Sequence, residues 1–304
     1  MKRDFLQITD FTREEILETL ELCRDLKNKT KARETHHLLK GQTLAMLFQK
    51  PSTRTRISFE VGMYQLGGHA LYLSPNEVGL GKRESVADVA RVISRFCDGI
   101  MARVFGHDIV EELAEYAGVP VICGLSDLTH PCQVLGDIFT VQEHKGKVED
   151  ICVAYVGDGN NVAHSWINLA SRLHLDLHIG CPEGYEPDAD LLTRARSETH
   201  CDIHIYHDPV QAVKDADVIY TDVWASMGQE EEAAQRKKIF QPFQVNDELL
   251  SHAKSDVIVE HCLPAHRGDE ITDSVMDGKH SVVFDEAENR LHIQKAIMVK
   301  LMAK

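Results

Sequence analysis

Short runs of apolar residues recur along the chain, each followed by a segment whose apolar positions return with the helical period. TLAMLF (43–48), HALYL (69–73), GIMARV (99–104) and VPVIC (119–123) are strand-sized, and the helical repeat occupies 84–96 and 108–117 between them. These runs are mostly apolar throughout instead of alternating, the pattern of strands covered on both faces in a parallel sheet. Upstream, Asp10 before FTREEILETLELCRDLKNK predicts an N-cap and an amphipathic helix with Phe11, Ile16, Leu20 and Leu22 among its apolar positions. TLAMLF ends in a proline and a cluster of hydroxyls, then feeds a predicted helix over 55–66.

The alternation pauses after a helix predicted over 132–145, where KGKVED reads as an exposed turn and a domain junction. It then resumes: strand and loop in ICVAYVGDG (151–159), a helix from Asn161, strand LDLHIG, a helix over 187–199, strand DIHIY, a helix over 209–216, then strands DVIYTD, SDVIVEHCLP and SVVF. A helical pattern from Ala287 to Ala303 follows the last run. The fold class expected is α/β, with two doubly wound α/β domains, parallel sheets and an interdomain cleft. The domains are expected at 1–145 and 146–286, with the C-terminal helix 287–304 returning to the first. A length of 304 residues suits two domains of ordinary size.

Charge narrows the partners. Lys plus Arg number 33 against 48 Asp plus Glu, a formal −15, which opposes nucleic acid and anionic membrane as bulk partners. Any anion site must therefore be built by local placement. The eight cysteines are scattered without paired zinc spacing, which suits reduced thiols in a cytoplasmic protein. The N-terminus has no apolar core of a signal peptide, and no apolar run approaches the ~18 residues of a membrane span. QEEEAAQRKK (229–238) reads as a charged, helix-compatible surface segment.

Candidate chemistry clusters where predicted strands end. In FQKPSTRTRISFE (48–60), Ser52, Thr53, Arg54, Thr55 and Arg56 sit at a helix start, where free N–H groups, hydroxyls and guanidinium forks make a phosphate cradle. Read alone, the stretch also fits a capped helix with solvated arginines. It is not a Walker loop, for no G-x-x-x-x-G-K-[ST] occurs. In DLTHPCQVLGD (127–137), His130 and Gln133 suit polarising a carbonyl oxygen and orienting an amide, though a turn-capping His fits equally. VGDGNNVAHSW (156–166) begins like a dinucleotide fingerprint, but Val162 occupies the third glycine position, so Asn161 reads better as a donor to a small ligand and no cofactor is expected. In TDVWASMGQE (221–230), Asp222 can take an amino group while the Ser226-Met227 loop takes a carboxylate, a pairing that suits an amino acid; an ordinary Asp cap is the alternative. In EHCLPAHRGDEIT (260–272), Pro264 is expected to hold Leu263 extended and aim backbone carbonyls into the cleft, while a single Cys262 also fits a small core residue. Cys201, His204 and His207 are spaced along a strand, where residues three apart face opposite ways, and the seventeen histidines contain no H-E-x-x-H, so no metal is expected.

Taken together, the motifs resemble the carbamoyltransferase family. PSTRTR and HPCQ are similar to its carbamoyl phosphate signature, and GDGNN, D-x-x-x-S-M-G and HCLP to its ornithine branch, in the family's order from about residue 43 onward. The resemblance implies transfer of a carbamoyl group from carbamoyl phosphate to the δ-amine of L-ornithine, with Ser52, Thr53, Arg54 and Thr55 on the phosphate. It implies Arg103 bridging phosphate and carbonyl oxygen, and His130 donating to that oxygen. Gln133, Arg290 and the carbonyls of Cys262 and Leu263 would surround the carbamoyl nitrogen. Asn161 and Met227 would meet the ornithine carboxylate, Asp222 and Ser226 its α-amino group, and Cys262 its δ-amine. A homotrimer with sites near subunit interfaces is implied as well. Asp222 with Ser-Met-Gly disfavours putrescine, acetylornithine and aspartate as acceptors. In one departure, Gly79 stands where many relatives carry Gln or another polar residue that reaches the neighbouring subunit, which would shift that work to Lys82 or Arg83. A non-catalytic sensor of phosphate metabolites or amino acids is the competing class.

Overall fold

The computed structural model describes residues 2–81, 83–198, 202–225 and 232–303. Two compact units result, one of Met1–Gly136 with Glu288–Lys304, the other Asp137–Ala287. The elements of the first are α1 (Arg13–Lys31), β1 (Thr43–Phe48), α2 (Thr53–Gln65), β2 (His69–Leu73), α3 (Pro75–Val78), α4 (Val86–Ile93), β3 (Gly99–Arg103), α5 (His107–Tyr116), β4 (Val121–Leu125) and the start of α6 (Pro131–Lys145). In the second, β5 (Ile151–Val156), α7 (Asn161–Ala170), β6 (Leu175–Gly180), α8 (Ala189–Glu198), β7 (Ile203–Tyr206), α9 (Pro209–Val213), β8 (Val218–Thr221), α10 (Ala233–Phe240), α11 (Asp247–Leu250), β9 (Ile258–His261) and α12 (Asp273–Met276) follow, before α13 (Val283–Met302) returns the chain to the first unit.

Among the described residues the first sheet has the order β2-β1-β3-β4 and the second β7-β6-β5-β8-β9, all neighbours parallel. In each sheet the order reverses beside the unit's first strand, leaving a switch point between β1 and β3 and another between β5 and β8. Loops leaving neighbouring strands diverge at such a point, so the crevice beyond their carboxyl ends is open to a ligand. Leu47, Ile100, Ala102 and Cys123 bury one face of the first sheet against Val110 and Leu113 of α5. Ala154, Val156, Ile219 and Val259 do the same for the second, with Val213, Phe243 and Val275.

Several local expectations change. Thr12 caps α1, accepting from Glu15 N in a reciprocal capping box, while the Asp10 carboxylate instead accepts from the Leu6 and Gln7 amides. The expected strand SVVF reduces to a bridge between Val259 and Ser281, and α13 starts at Val283 because Asp285 and Glu286 favour a helix N-terminus. The division between units falls inside α6, ahead of the turn at KGKVED, since a continuous helix changes its packing partners without any break in composition.

Candidate active site

β1 pairs with β3 as far as Phe48 opposite Arg103, so the loop carrying Ser52–Thr55 leaves the first switch point beside Arg103. Ser52 is the N-cap of α2, its Oγ accepting from Thr55 N at 3.3 Å and donating to Thr55 Oγ1 at 3.1 Å. Thr53 is exposed and Arg54 half-buried at the first turn, whereas Thr55 is fully buried. Two guanidiniums converge on Thr55 Oγ1: Arg290 Nη2 from α13 at 2.9 Å and Arg103 Nη1 at 3.5 Å. His130 and Gln133 are buried at the start of α6, with Gln133 N donating to the His130 carbonyl. Burial, then the positive charges of Arg290, Arg103 and Arg54, hold the His130 imidazole well below its ordinary pKa. A neutral ring can donate from one nitrogen without adding charge. Lys50, given no role in the sequence, stands 4.5 Å from the Phe105 ring centre with its pKa lowered by burial and by Arg103. So many cations around a neutral imidazole, in a chain of net charge −15, make a local anion site.

In the second unit Asp222 directly follows β8 at the other switch point. Its Oδ1 accepts from the Cys262 thiol and from Val223 N, its Oδ2 from Asn160 Nδ2 at 2.9 Å. Burial and the Asp222 carboxylate push the Cys262 thiol well above its ordinary pKa, so it is protonated and acts as a donor. Asn160, not Asn161, caps α7: its Oδ1 accepts from Val162 N at 2.9 Å and from the Tyr155 hydroxyl at 3.1 Å. Asn161 is the first residue of the helix. Leu263 has φ +54 before a cis Pro264 and is not extended as expected; its N–H donates to His261 Nδ1, closing a tight turn after β9. That bond leaves His261 Nε2 to donate to Glu270 at 3.1 Å.

Arg236 belongs to the segment expected to be merely surface, yet it is buried, donating to Asp158 and to the Trp224 carbonyl, both at 2.9 Å. Burial raises the Asp158 pKa to about 6 against the pull of Arg236. The arginine thus anchors the chain just after Asp222. Periodicity could not reveal this, because a single buried Arg in a polar helix leaves no trace in the pattern. Ser226, Met227 and Lys82 lie outside the described residues. Gly79 is the left-handed cap of α3, and Arg83 Nη1 turns back to the Glu77 carbonyl. Each unit therefore presents one cluster, cationic in the first, carboxylate and amide in the second.

Residues 3–143 match the sequence profile described as aspartate/ornithine carbamoyltransferase, carbamoyl-P binding domain, and residues 149–301 match that of the Asp/Orn binding domain. The chain belongs to the aspartate/ornithine carbamoyltransferase family. An ornithine carbamoyltransferase from Thermococcus kodakarensis is 58% identical over 303 residues, covering 99% of this chain and 96% of the relative. The structure of ornithine carbamoyltransferase from Pyrococcus furiosus superposes with a TM-score of 0.96 at 56% identity, covering 99% of this chain and 97% of that one. That of the anabolic ornithine carbamoyltransferase from Campylobacter jejuni gives 0.93 at 41% identity, with 99% of each covered. In family terms the cationic cluster falls in the carbamoyl phosphate domain apart from Arg290, which lies in the stretch matched by the Asp/Orn binding domain together with the Asp222 cluster. Among the described residues no helix is long and apolar enough to cross a membrane.

Proposed function

We propose that the chain transfers the carbamoyl group of carbamoyl phosphate to the δ-amine of L-ornithine, giving L-citrulline and phosphate. The observation that carries this is the pairing of contents at the two switch points: guanidiniums and hydroxyls around Thr55 and His130, and Asp222 held by Asn160 and Cys262. In this proposal Ser52, Thr53, Arg54 and Thr55 take the phosphate, and Arg103 and neutral His130 donate to the carbonyl oxygen as it gains charge. Gln133 and Arg290 orient the carbamoyl amide. Asp222 takes the α-ammonium of ornithine, with Ser226 beside it, and Asn161 and Met227 take the carboxylate. Donors set in advance around the developing oxyanion are the main source of rate in acyl transfer. An alkylamine has a reference pKa of ~10.4, so attack requires that the site favour the neutral amine, for which exclusion of water is the available means. Cys262 positions the amine; carbamoyl phosphate is already activated and needs no thiolate.

The synthetic direction is supported by the word anabolic in the names of the Pyrococcus furiosus and Campylobacter jejuni relatives. A cytoplasmic setting suits cysteines that form no disulfide among the described residues. A homotrimer is supported by the stripe Ile57, Val61 and Tyr64 on α2, exposed together with Leu71 on the edge strand β2. Sedimentation of the purified chain tests that assembly. The activity is tested by product formation from carbamoyl phosphate with ornithine, putrescine, acetylornithine and aspartate in parallel. Citrulline from ornithine alone is expected. Binding of carbamoyl phosphate without turnover of any acceptor would indicate a sensor instead.

A further inference from the structure

Strand register in the second unit gathers four metal-ligating side chains from three neighbouring strands. Cys152 on β5 lies opposite Asp176 on β6, and His178, two residues further along β6, lies opposite His204 on β7. Because side chains alternate along a strand, Asp176 and His178 share a face, and their cross-strand partners lie on the same face. The cysteine sulfur, a carboxylate oxygen and a ring nitrogen of the first three all lie within 4.8 Å of one another. Cys152 Sγ is 3.6 Å from His178 Nδ1, and His178 Nε2 is 3.3 Å from Asp176 Oδ1. The rings of His178 and His204 are 5.5 Å apart and nearly perpendicular.

We propose that Cys152, Asp176, His178 and His204 bind a divalent zinc-type ion that ties β5, β6 and β7 together. Tetrahedral zinc with metal–sulfur and metal–nitrogen distances of ~2.3 and ~2.0 Å sets ligand atoms about 3.3–3.8 Å apart; His178 Nε2 and Asp176 Oδ1 already stand at that spacing, and rotation of the Cys152 and His204 side chains would complete the set. The orientation of His178 is already fixed: its Nδ1–H donates to the Ala212 carbonyl at 3.0 Å, leaving the Nε2 lone pair toward Asp176, as in the outer support of zinc-bound imidazoles. Binding exchanges the thiol proton for the metal, and one thiolate with one carboxylate neutralises the dication. Asp217, whose Oδ2 accepts from Cys152 N at 2.9 Å, adds negative potential beside the sulfur, offset in part by Lys254. Asp176 and His204 are exposed, so the ion has an entry path. The expected role is structural, holding the edge strand β7 to its sheet, and is independent of carbamoyl transfer.

The test titrates cobalt(II), which reports its ligands by absorption, into the chelator-treated full chain carrying Cys262→Ser, a change that removes the second thiol able to take a metal with Asp222 and His261. One cobalt per chain is expected, with a sulfur-to-metal charge-transfer band and the visible bands of a tetrahedral ion. Adding Cys152→Ala should abolish the charge-transfer band, and adding His204→Ala should weaken binding by about tenfold or more. Zinc should raise the melting temperature of the Cys262→Ser protein and leave that of the Cys152→Ala/Cys262→Ser protein unchanged. Absence of the band in Cys262→Ser, or its survival in Cys152→Ala, overturns the site; unchanged affinity in His204→Ala overturns the four-ligand set. Should Cys152→Ala fail to fold, Asp176→Asn on the exposed edge decides, because loss of affinity supports the site and retention refutes it.

Discussion

His130 is kept neutral by its burial and, after that, by the same arginines that make its surroundings attractive to phosphate. Replacing it with Ala should lower kcat by about 10²–10³-fold, the range for loss of one oxyanion donor, with a smaller change in the Michaelis constant for ornithine. Steady-state citrulline formation checks both. Since the folded pKa is depressed well below the usual value for histidine, its protonation should not appear in the profile between pH 6 and 8, where activity should instead rise as the δ-amine deprotonates. An acid limb with a midpoint near 6.5 that vanishes in His130→Gln would contradict this. Asn160 joins two jobs, capping α7 and donating to Asp222. Asn160→Ala should therefore cost about 1 kcal/mol of stability and raise the ornithine Michaelis constant roughly tenfold, while Asn160→Asp keeps the cap but replaces the donor by a carboxylate that repels Asp222, so its ornithine constant should rise at least as much. Equal ornithine constants in all three proteins would show that Asn160 does not position Asp222. Asn161 drew notice in the sequence because it stands at the helix start; only the cap geometry shows that its neighbour reaches the carboxylate.

At the scale of elements, the strands and most helices were legible because apolar runs and helical repeats report burial directly. Ends were less so. Thr12 rather than Asp10 caps α1, since Glu15 can complete the reciprocal bond only with Thr12. Leu263 departs from extended backbone because the bond to His261, two residues back, closes the turn. Gly79 is informative for the opposite reason: its φ of +56 is costly for any side chain, and an added Cβ would stand 2.8 Å from Arg83 Cβ. Gly79→Gln should thus destabilise the α3 turn by about 1–3 kcal/mol unless that turn rearranges. A melting temperature unchanged from that of the parent chain would contradict this cost.

For the molecule as a whole, α13 joins the first unit through buried polar contacts that no amphipathic pattern displays. Lys295 is fully buried, donating to Thr30 Oγ1 at 2.6 Å on α1 and Gln65 Oε1 at 2.8 Å on α2, and Lys27 donates to Asn289 Oδ1. Burial lowers the Lys295 pKa from 10.5 to about 8. The unfolded chain then binds more protons than the folded one between those values, so this group opposes folding fully below pH ~8 and the penalty fades as pH rises toward ~10.5. Its upper limit is about 3 kcal/mol. Lys295→Met should flatten that alkaline rise in denaturant-measured stability relative to the parent chain; identical slopes would show that Lys295 is not titrating there.

The sequence by itself determined the class of fold, two successive αβ alternations, and the residue types at the strand ends, because periodicity and turn chemistry act over a few neighbouring positions. It also carried the family resemblance in five short motifs. Tertiary structure alone decided which distant groups meet: Arg290 with Arg103 at Thr55, Asn160 with Asp222 and Cys262, Arg236 with Asp158, and Cys152 with Asp176 and His178. Strand order and register set those encounters, and neither is a local property of the chain. Burial then sets the protonation of His130 and Cys262, because the cost of a charge depends on what surrounds it after folding.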